Sequence, residues 1–246
     1  MNAPDSKFRL GLTGNQLKII AMVAMFVGHL ALAFAPDAHN VIRFGRIAFP
    51  IFAYMIAEGC TYTKNRSKHL ALIMAVAVIF HAVGYILTGS LQLSVLVSFS
   101  LAIITIYSAD TFFDEDATLW EFFLAICGLC LVVFMTLIAP HLYEEQGYMI
   151  IYGLAGVLFP VAVYYAPGRF WKLVAAAVMT VFLGLTLPGY SQQWWALMAI
   201  PLLALYNGRR GEANIKYLFY IFYPLQRAFI FLLAMLIDAL EKLGIF

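Results

Sequence analysis

An apolar run near the start of the chain decides its fold: residues 17–34 read LKIIAMVAMFVGHLALAF, with a single lysine and a single histidine. At about 1.5 Å per residue, a helix of this run is about 27 Å long, close to the roughly 30 Å hydrocarbon core of a bilayer. The apolar residues do not alternate with period two, as they would in a membrane β-strand. The run therefore predicts a transmembrane helix, and its length favours a retained span over a cleaved signal peptide.

Runs of the same kind recur along the whole chain. Of its 246 residues, 64% are hydrophobic and 11% are charged, whereas soluble domains are near half apolar and a quarter charged. The sequence therefore predicts an all-α, polytopic transmembrane helix bundle of about nine helices, with a tail over residues 1–16 and one membrane domain over residues 17–246. The predicted spans are 17–34, 47–62, 69–87, 92–107, 119–138, 147–165, 170–187, 193–206 and 218–240. Whether the fourth, sixth and eighth cross completely is left open.

The Lys and Arg residues are distributed unevenly between the two ends of these spans. Eleven of the fifteen fall on the side of the N-terminus: Lys7, Arg9, Lys18, Lys64, Arg66, Lys68, Arg169, Lys172, Arg209, Arg210 and Lys216. Arg43, Arg46 and Lys242 fall on the other side, and Arg227 lies inside the last span. Positively charged loops stay in the cytoplasm, which predicts a cytoplasmic N-terminus and a C-terminus outside. The acidic loop that begins at Asp110 has no positive partner in sequence and is predicted on the cytoplasmic side.

Four ionisable residues remain deep inside the predicted spans: His29, Glu58, His81 and Arg227. Such groups are costly in hydrocarbon and should face a partner or a cavity. Their positions place all four near mid-membrane, which suggests one shared polar cavity with Tyr223 and Gln226 as neutral contributors. The alternative is a structural pair of Glu58 with Arg227 and histidines satisfied by backbone or hydroxyl groups. That alternative is favoured for His81, and both possibilities stay open for His29.

Lys18 and His29 lie on one face of the first predicted helix. Eleven residues at about 100° each make three turns plus about 20°, with an axial rise of about 16 Å. This arrangement suits a phosphate-bearing cofactor whose long arm reaches from the cytoplasm to a reacting group at His29. An interfacial lysine below a core histidine would show the same spacing.

Three blocks of sequence resemble the TraX family, named for the protein that N-acetylates F-type conjugative pilin. They are LKIIA at 17–21 with Met25 and His29, RFGRIAFPIF at 43–52 with Glu58 and Gly59, and LYNGRRG at 205–211 followed by Lys216, Tyr217 and FYIFYP at 219–224. From the first block to the last, the match spans nearly the whole chain. The first block is also similar to the first helix of other membrane acyltransferases, in which a basic residue precedes a His after ten positions.

The resemblance implies an acetyl-CoA-dependent N-acetyltransferase of the bacterial inner membrane, whose acceptor is a pilin or another peptide. It implies catalytic roles for His29 as a base, for Arg46 as an oxyanion donor, with Gln226 or Tyr223 as the alternatives, and for Glu58 as the group that holds a cation. The residues implied for the CoA phosphates are Lys18, Lys64 and Arg209, and those of a secondary polar cavity are His81, Tyr223, Gln226 and Arg227. Membrane lipids are the other expected contact.

Two positions depart from the family pattern. The family usually has Asp before this His, where this chain has Gly28, and His two residues after the Tyr-Pro, where it has Gln226. An Asp beside a base can tune its protonation, and a second His can share proton transfer. The chain is therefore either a divergent enzyme or a family member that has lost the chemistry.

Two alternatives come from other functional classes. One is a non-catalytic protein of conjugation or pilus assembly, and the other is a proton- or ion-coupled transporter.

No other motif points to a ligand. Cys127 and Cys130 form a C-x-x-C within the fifth predicted span, where cysteine behaves as a small hydrophobic residue. The sequence contains no glycine-rich nucleotide loop, and its net charge of +2 does not indicate a nucleic-acid surface. We therefore expect neither a metal nor a nucleic-acid partner.

Overall fold

The computed structural model describes residues 11–186, 191–212 and 216–243, and these form a bundle of α-helices. This confirms the predicted all-α fold. The helices are α1 (Gly14–Phe34), α2 (His39–Phe44), α3 (Ala48–Tyr62), α4 (Arg66–Thr88), α5 (Val95–Phe112), α6 (Leu119–Val133), α7 (Ala139–Leu142), α8 (Gly153–Tyr165), α9 (Gly168–Thr186), α10 (Ala199–Ala204) and α11 (Lys216–Lys242). Seven helical stretches within the described ranges are long and apolar enough to cross a membrane.

The two predicted spans outside these seven are shorter helices. The sixth corresponds to α8, whose 13 residues rise about 20 Å, less than the hydrocarbon core. The eighth corresponds to a 3-10 helix at Ser191–Met198 followed by α10. The fourth forms a complete 18-residue helix, α5. The predicted tail up to residue 10 and the seventh span's last residue, Leu187, lie outside the described residues.

The second span begins earlier than residue 47, so that predicted boundary was wrong. It starts at His39 with α2, continues through a 3-10 turn at Gly45–Ile47 and runs into α3. Arg43 and Arg46 had been interpreted as charges outside the span, which displaced the predicted start. Arg46 therefore lies within a continuous helical segment and not at its edge.

Helices α3, α5 and α8 form the centre of the bundle, and α1, α4, α9 and the 3-10 helix pack around them. Phe49 of α3 lies at the core, stacked on Phe99 of α5 with ring centroids 5.8 Å apart. It meets Phe159 of α8 edge to face at 5.6 Å. These aromatic contacts join the three central helices near the start of α3.

The segments predicted to face the cytoplasm gather at one end of the bundle, which we call the basic end. Backbone N–H groups of Gly14 and Asn15 donate to the carbonyls of Arg209 and Arg210, at 2.8 and 2.9 Å. The Arg66 guanidinium lies 2.7 Å from the Asp110 carboxylate. Asp110 thus has a positive partner from another loop, at the same end of the bundle. Which side of the membrane this end faces stays a prediction.

The opposite end is held by a short parallel pair of strands. β1 (Gln92–Leu93) precedes α5, and β2 (Met149–Ile150) precedes α8. After β2 the chain turns at Tyr152, whose positive φ of 66° lies in the left-handed region. This turn brings the centre of the Tyr152 ring to 4.0 Å from the centre of the Phe49 ring, at the end of the bundle opposite the basic end.

Candidate functional site

The side chain of His29 in α1 contacts that of Gln226 in α11. Nε2 of Gln226 lies 2.9 Å from Nδ1 of His29, and Gln226 is 3% exposed. Among its described side chains, α11 buries Tyr223, Gln226 and Ile230, which follow one another at spacings of three and four residues. This stripe is one face of a helix, and it brings the last span against the first and fourth helices.

The contact between His29 and Gln226 has two forms, because a half-turn of a carboxamide exchanges its oxygen and nitrogen. With the nitrogen towards the ring, Nδ1 accepts and Nε2 carries the ring proton. With the oxygen towards the ring, Nδ1 donates and Nε2 keeps a free lone pair, as a general base requires. Gln226 can therefore orient His29, but it brings no negative charge to stabilise a protonated imidazole.

His29 lines a cavity of about 120 Å³, which we call the His29 cavity. Arg46 from the second span and Tyr223 from α11 line the same space. The rest of the wall is mostly apolar and aromatic: Met25, Leu32, Ile42, Phe49, Phe52, Val95, Phe99, Ile151 and Tyr152. The site thus combines one imidazole, one guanidinium and two phenols, those of Tyr152 and Tyr223, in an apolar surrounding.

Two glycines set the distance between the first two spans at this cavity. A Cβ atom on Gly28 would lie 2.8 Å from the Cα of Gly45, closer than real Cβ atoms come to another atom. The residue before His29 therefore has no room for a side chain in this backbone arrangement. An aspartate at this position would require the second span to shift.

A larger cavity of about 330 Å³ lies at the basic end, and we call it the Lys18 cavity. Lys18, Arg210 and His69 contribute positive or titratable groups to its wall, and Glu58 contributes a carboxylate. The Lys18 ammonium also lies 5.0 Å from the centre of a phenyl ring on α11. Five residues line both cavities and form the junction between them: Met25, Phe52, Val95, Phe99 and Tyr223. The two spaces therefore adjoin.

Glu58 pairs with Lys172 of α9 and not with Arg227, so the predicted alternative of a Glu58–Arg227 pair was wrong. Lys172 Nζ lies 2.6 Å from Glu58 Oε1, and the two side chains are 15% and 9% exposed. Tyr206 lines the same cavity as this carboxylate. Glu58 lies four residues before the end of α3, and Lys18 lies four residues after the start of α1. Both of these helix ends are at the basic end of the bundle, so Glu58 and Lys18 lie at a similar depth. The expectation of one cavity holding His29 and Glu58 together was wrong.

His81 has the surroundings of a structural residue. Its Nε2 lies 2.9 Å from the backbone nitrogen of Ser94 and 2.9 Å from the Ser94 hydroxyl. A backbone N–H can only donate, so Nε2 accepts and carries no proton. Ser94 is the N-cap of α5. His81 thus fixes the start of α5, and it lines neither cavity.

The remaining predicted residues lie at the surface. Lys64 and Arg209 are exposed and line neither cavity, whereas the neighbouring Arg210 lines the Lys18 cavity. Arg227 is exposed on α11, where it follows Gln226 in sequence. Of the three residues predicted to bind the CoA phosphates, Lys18 lines the Lys18 cavity, and Lys64 and Arg209 do not.

Sequence reasoning missed two polar residues that line the Lys18 cavity, His69 and Arg210, and it also missed Lys172, the partner of Glu58. His69 is buried, with Nδ1 2.8 Å from the Tyr107 hydroxyl, although it had been counted as the first residue of a span. Lys172 and Arg210 had been used only to orient the chain. Their proximity to Glu58 and Lys18 depends on contacts between distant spans, which local spacing does not reveal.

Comparison with known proteins places this arrangement in a family. The family model described as TraX protein matches residues 13–236. The chain belongs to the TraX family. It is also similar to the "Probable fimbrial assembly protein FimC, serogroup H1" of Dichelobacter nodosus, with 26% identity over 240 residues that cover 87% of this chain and 92% of that protein. No solved structure matches the chain.

Membership of the TraX family confirms the resemblance found in the sequence, and the structure shows the surroundings of the two positions that depart from the pattern which the resemblance implies. Gly28 packs against Gly45 and has no room for the usual Asp. Gln226 replaces the usual His at a position 2.9 Å from His29. In the described part of the chain, no three His, Cys, Asp or Glu side chains form a metal-ligand set, and the expected lack of a metal stays a prediction.

Proposed function

We propose that this chain is a membrane-embedded acyltransferase that moves acetyl from acetyl-CoA to an amine, the N-terminus of a pilin or fimbrial subunit. The observation that carries the proposal is the pair of adjoining cavities, which joins the basic end to His29. TraX membership and the printed name of the D. nodosus relative, a fimbrial assembly protein, support a place in conjugation or pilus assembly. The corresponding location is the bacterial inner membrane.

The donor enters at the basic end. Its phosphates bind Lys18 and Arg210, which line the Lys18 cavity, because lysine and arginine side chains are the usual phosphate-binding groups. Its long arm passes the junction residues, and its thioester reaches His29, about 16 Å along α1 from Lys18. CoA itself therefore never crosses the membrane.

The transfer needs a base beside the thioester, and His29 is the candidate. The amine nitrogen attacks the thioester carbonyl carbon, and His29 Nε2 takes the proton that the amine loses. The tetrahedral intermediate then expels the CoA sulfur, which leaves as a thiol with the proton from His29. The products are an acetylated amine and free CoA, and the histidine returns to its neutral form.

The negative charge that develops on the carbonyl oxygen needs preorganised donors. Arg46 and Tyr223 line the same cavity as His29, and donors of this kind act strongly where water is excluded. Glu58 lies in the other cavity, where it holds Lys172 in place. We therefore assign it to the shape and charge of the donor site and not to proton transfer.

The test uses purified full-length protein in lipid nanodiscs, labelled acetyl-CoA and a processed pilin. We expect the wild type to transfer label and His29→Ala and His29→Gln to lose at least a hundredfold of the rate, within the usual range for general base catalysis. His141→Ala, which changes an exposed histidine on α7, serves as the control. Equal transfer by wild type and both His29 variants would remove His29 from the mechanism. A wild type that binds no CoA would favour the non-catalytic or transporter alternatives.

A further inference from the structure

Two side chains that can bind a phosphate line the Lys18 cavity at a similar depth. Lys18 lies four residues after the start of α1, and His69 lies three residues after the start of α4. Both helices start at the basic end, so these residues lie about 6 Å and about 4.5 Å along their helices. Glu58 is at a similar depth, but its charge is balanced by the Lys172 ammonium, 2.6 Å away. At this depth, the cavity wall therefore offers an ammonium and an imidazole to an anion.

The imidazole of His69 is held on two sides. Its residue is 8% exposed, and its Nδ1 lies 2.8 Å from the Tyr107 hydroxyl. The other edge of the ring lies against Gly59 of α3, where a Cβ atom would be 3.3 Å from both Cε1 and Nε2 of His69. Gly59 lines the Lys18 cavity as well. When the Tyr107 hydroxyl donates to Nδ1, Nε2 carries the ring proton, so the ring presents an N–H donor at the cavity wall.

Arg210 lies nearer the surface of the basic end. Its backbone carbonyl accepts a hydrogen bond of 2.9 Å from the N–H of Asn15, which precedes Lys18 by three residues, or about 4.5 Å, along α1. Its side chain lines the same cavity. The Lys18 cavity therefore has an outer cationic position at Arg210 and an inner position at Lys18 and His69, and the inner one is closer to His29.

We infer that Lys18 and His69 bind the phosphate attached directly to the pantetheine arm of CoA, and that Arg210 binds the outer part of CoA, which carries the ribose phosphate. The inference rests on the proposed function and adds which phosphate each residue recognises. An arm that runs from the basic end towards His29 has its own phosphate at the inner position, because the rest of the nucleotide lies behind it. The Nε2–H of His69 donates to this phosphate beside the charge of Lys18. Tyr107 is a positioning residue, which keeps the ring proton on Nε2.

The experiment measures ligand binding by calorimetry in nanodiscs that contain the full-length protein, so it does not depend on acetyl transfer. The ligands are CoA, phosphopantetheine, which keeps only the phosphate of the arm, and pantetheine, which has no phosphate. His69→Phe keeps a ring of similar size without the N–H, and His69→Gln keeps an N–H donor near the position of Nε2. Arg210→Ala removes the outer cation. His141→Ala changes an exposed histidine on α7 and is the control.

We expect His69→Phe to weaken binding of CoA and phosphopantetheine about tenfold, the effect of one lost hydrogen bond to a charged group, and to leave pantetheine binding unchanged. His69→Gln should restore most of the affinity, and His141→Ala should bind all three ligands as the wild type does. Arg210→Ala should weaken CoA binding about tenfold and leave phosphopantetheine binding unchanged. Tyr107→Phe should weaken the same two ligands as His69→Phe, and it gives a second test should His69→Phe not fold.

Two results would overturn the inference while leaving the proposed function intact. One is equal binding of phosphopantetheine by the wild type and the folded His69→Phe and Tyr107→Phe proteins. The other is an equal weakening of all three ligands by these variants, which would mean that the ring only shapes the cavity. A wild type that binds none of the three ligands would instead contradict the proposed function.

Discussion

Gly28 and Gly45 bring two helical spans into backbone contact: a Cβ on Gly28 would lie 2.8 Å from the Cα of Gly45, and one on Gly45 would lie 2.9 Å from the Cα of Gly28. Each glycine directly precedes a residue of the candidate site, His29 or Arg46. The contact therefore sets how far the imidazole lies from the guanidinium. Close approach of this kind is a common use of glycine between membrane helices.

Gly28→Asp should destabilise the protein, although it restores the residue usual in the family. Its Cβ has no space beside Gly45, and an overpacked contact costs about 1–3 kcal/mol. Gly28→Ala should show most of the same loss. The measurement is thermal unfolding in detergent micelles, with Gly84→Ala as the control because a Cβ there meets nothing within 4 Å. A Gly28→Asp protein that is as stable as the wild type and more active would show that the second span moves to accept it.

Gln226→Leu should slow acetyl transfer about tenfold, since one hydrogen bond of about 1.4 kcal/mol holds the His29 ring in orientation. Gln226→His keeps a side chain that can hydrogen-bond to His29 and should retain or increase the rate. Rates are compared at saturating acetyl-CoA, where donor binding does not contribute. If Gln226→Leu and the wild type transfer label equally fast, the contact only packs α11 against α1.

Arg210→Ala should raise the KM for acetyl-CoA about tenfold with little change in kcat, because Arg210 lines the Lys18 cavity. Loss of a contact made equally in the ground and transition states has this signature. Arg209→Ala is the matched control, as it removes the same charge from the adjacent exposed position. A larger effect from Arg209→Ala would restore the assignment made from the sequence.

Glu58→Gln should lower the free energy of unfolding by about 3–5 kcal/mol, since it leaves the Lys172 ammonium buried without its partner. The double variant Glu58→Gln, Lys172→Met should be less destabilised than Glu58→Gln alone. Asp238→Asn breaks the exposed Lys242 pair and should change stability by less than about 1 kcal/mol. The measurement is thermal unfolding of each variant under the same detergent conditions. Equal losses in the single and double variants would mean that the ion pair itself contributes little.

The sequence by itself determined the membrane fold, because apolar runs long enough for a bilayer leave little choice of structure. It also placed Lys18 and His29 on one face, since that relation depends only on helical periodicity within α1. The Tyr-Pro block pointed to residue 226, and the family match pointed to Arg46. These predictions concern single helices or motifs, which local sequence specifies.

The tertiary structure decided which spans share a cavity. Glu58 forms an ion pair with Lys172, His81 hydrogen-bonds to Ser94, and Gln226 hydrogen-bonds to His29. Each of these contacts joins different helices, and their partners depend on packing that periodicity within one helix does not encode. Spans of similar length and hydropathy can pack in many orders. The position of a residue along its helix therefore predicted its depth in the membrane, but not which residue of another helix it contacts.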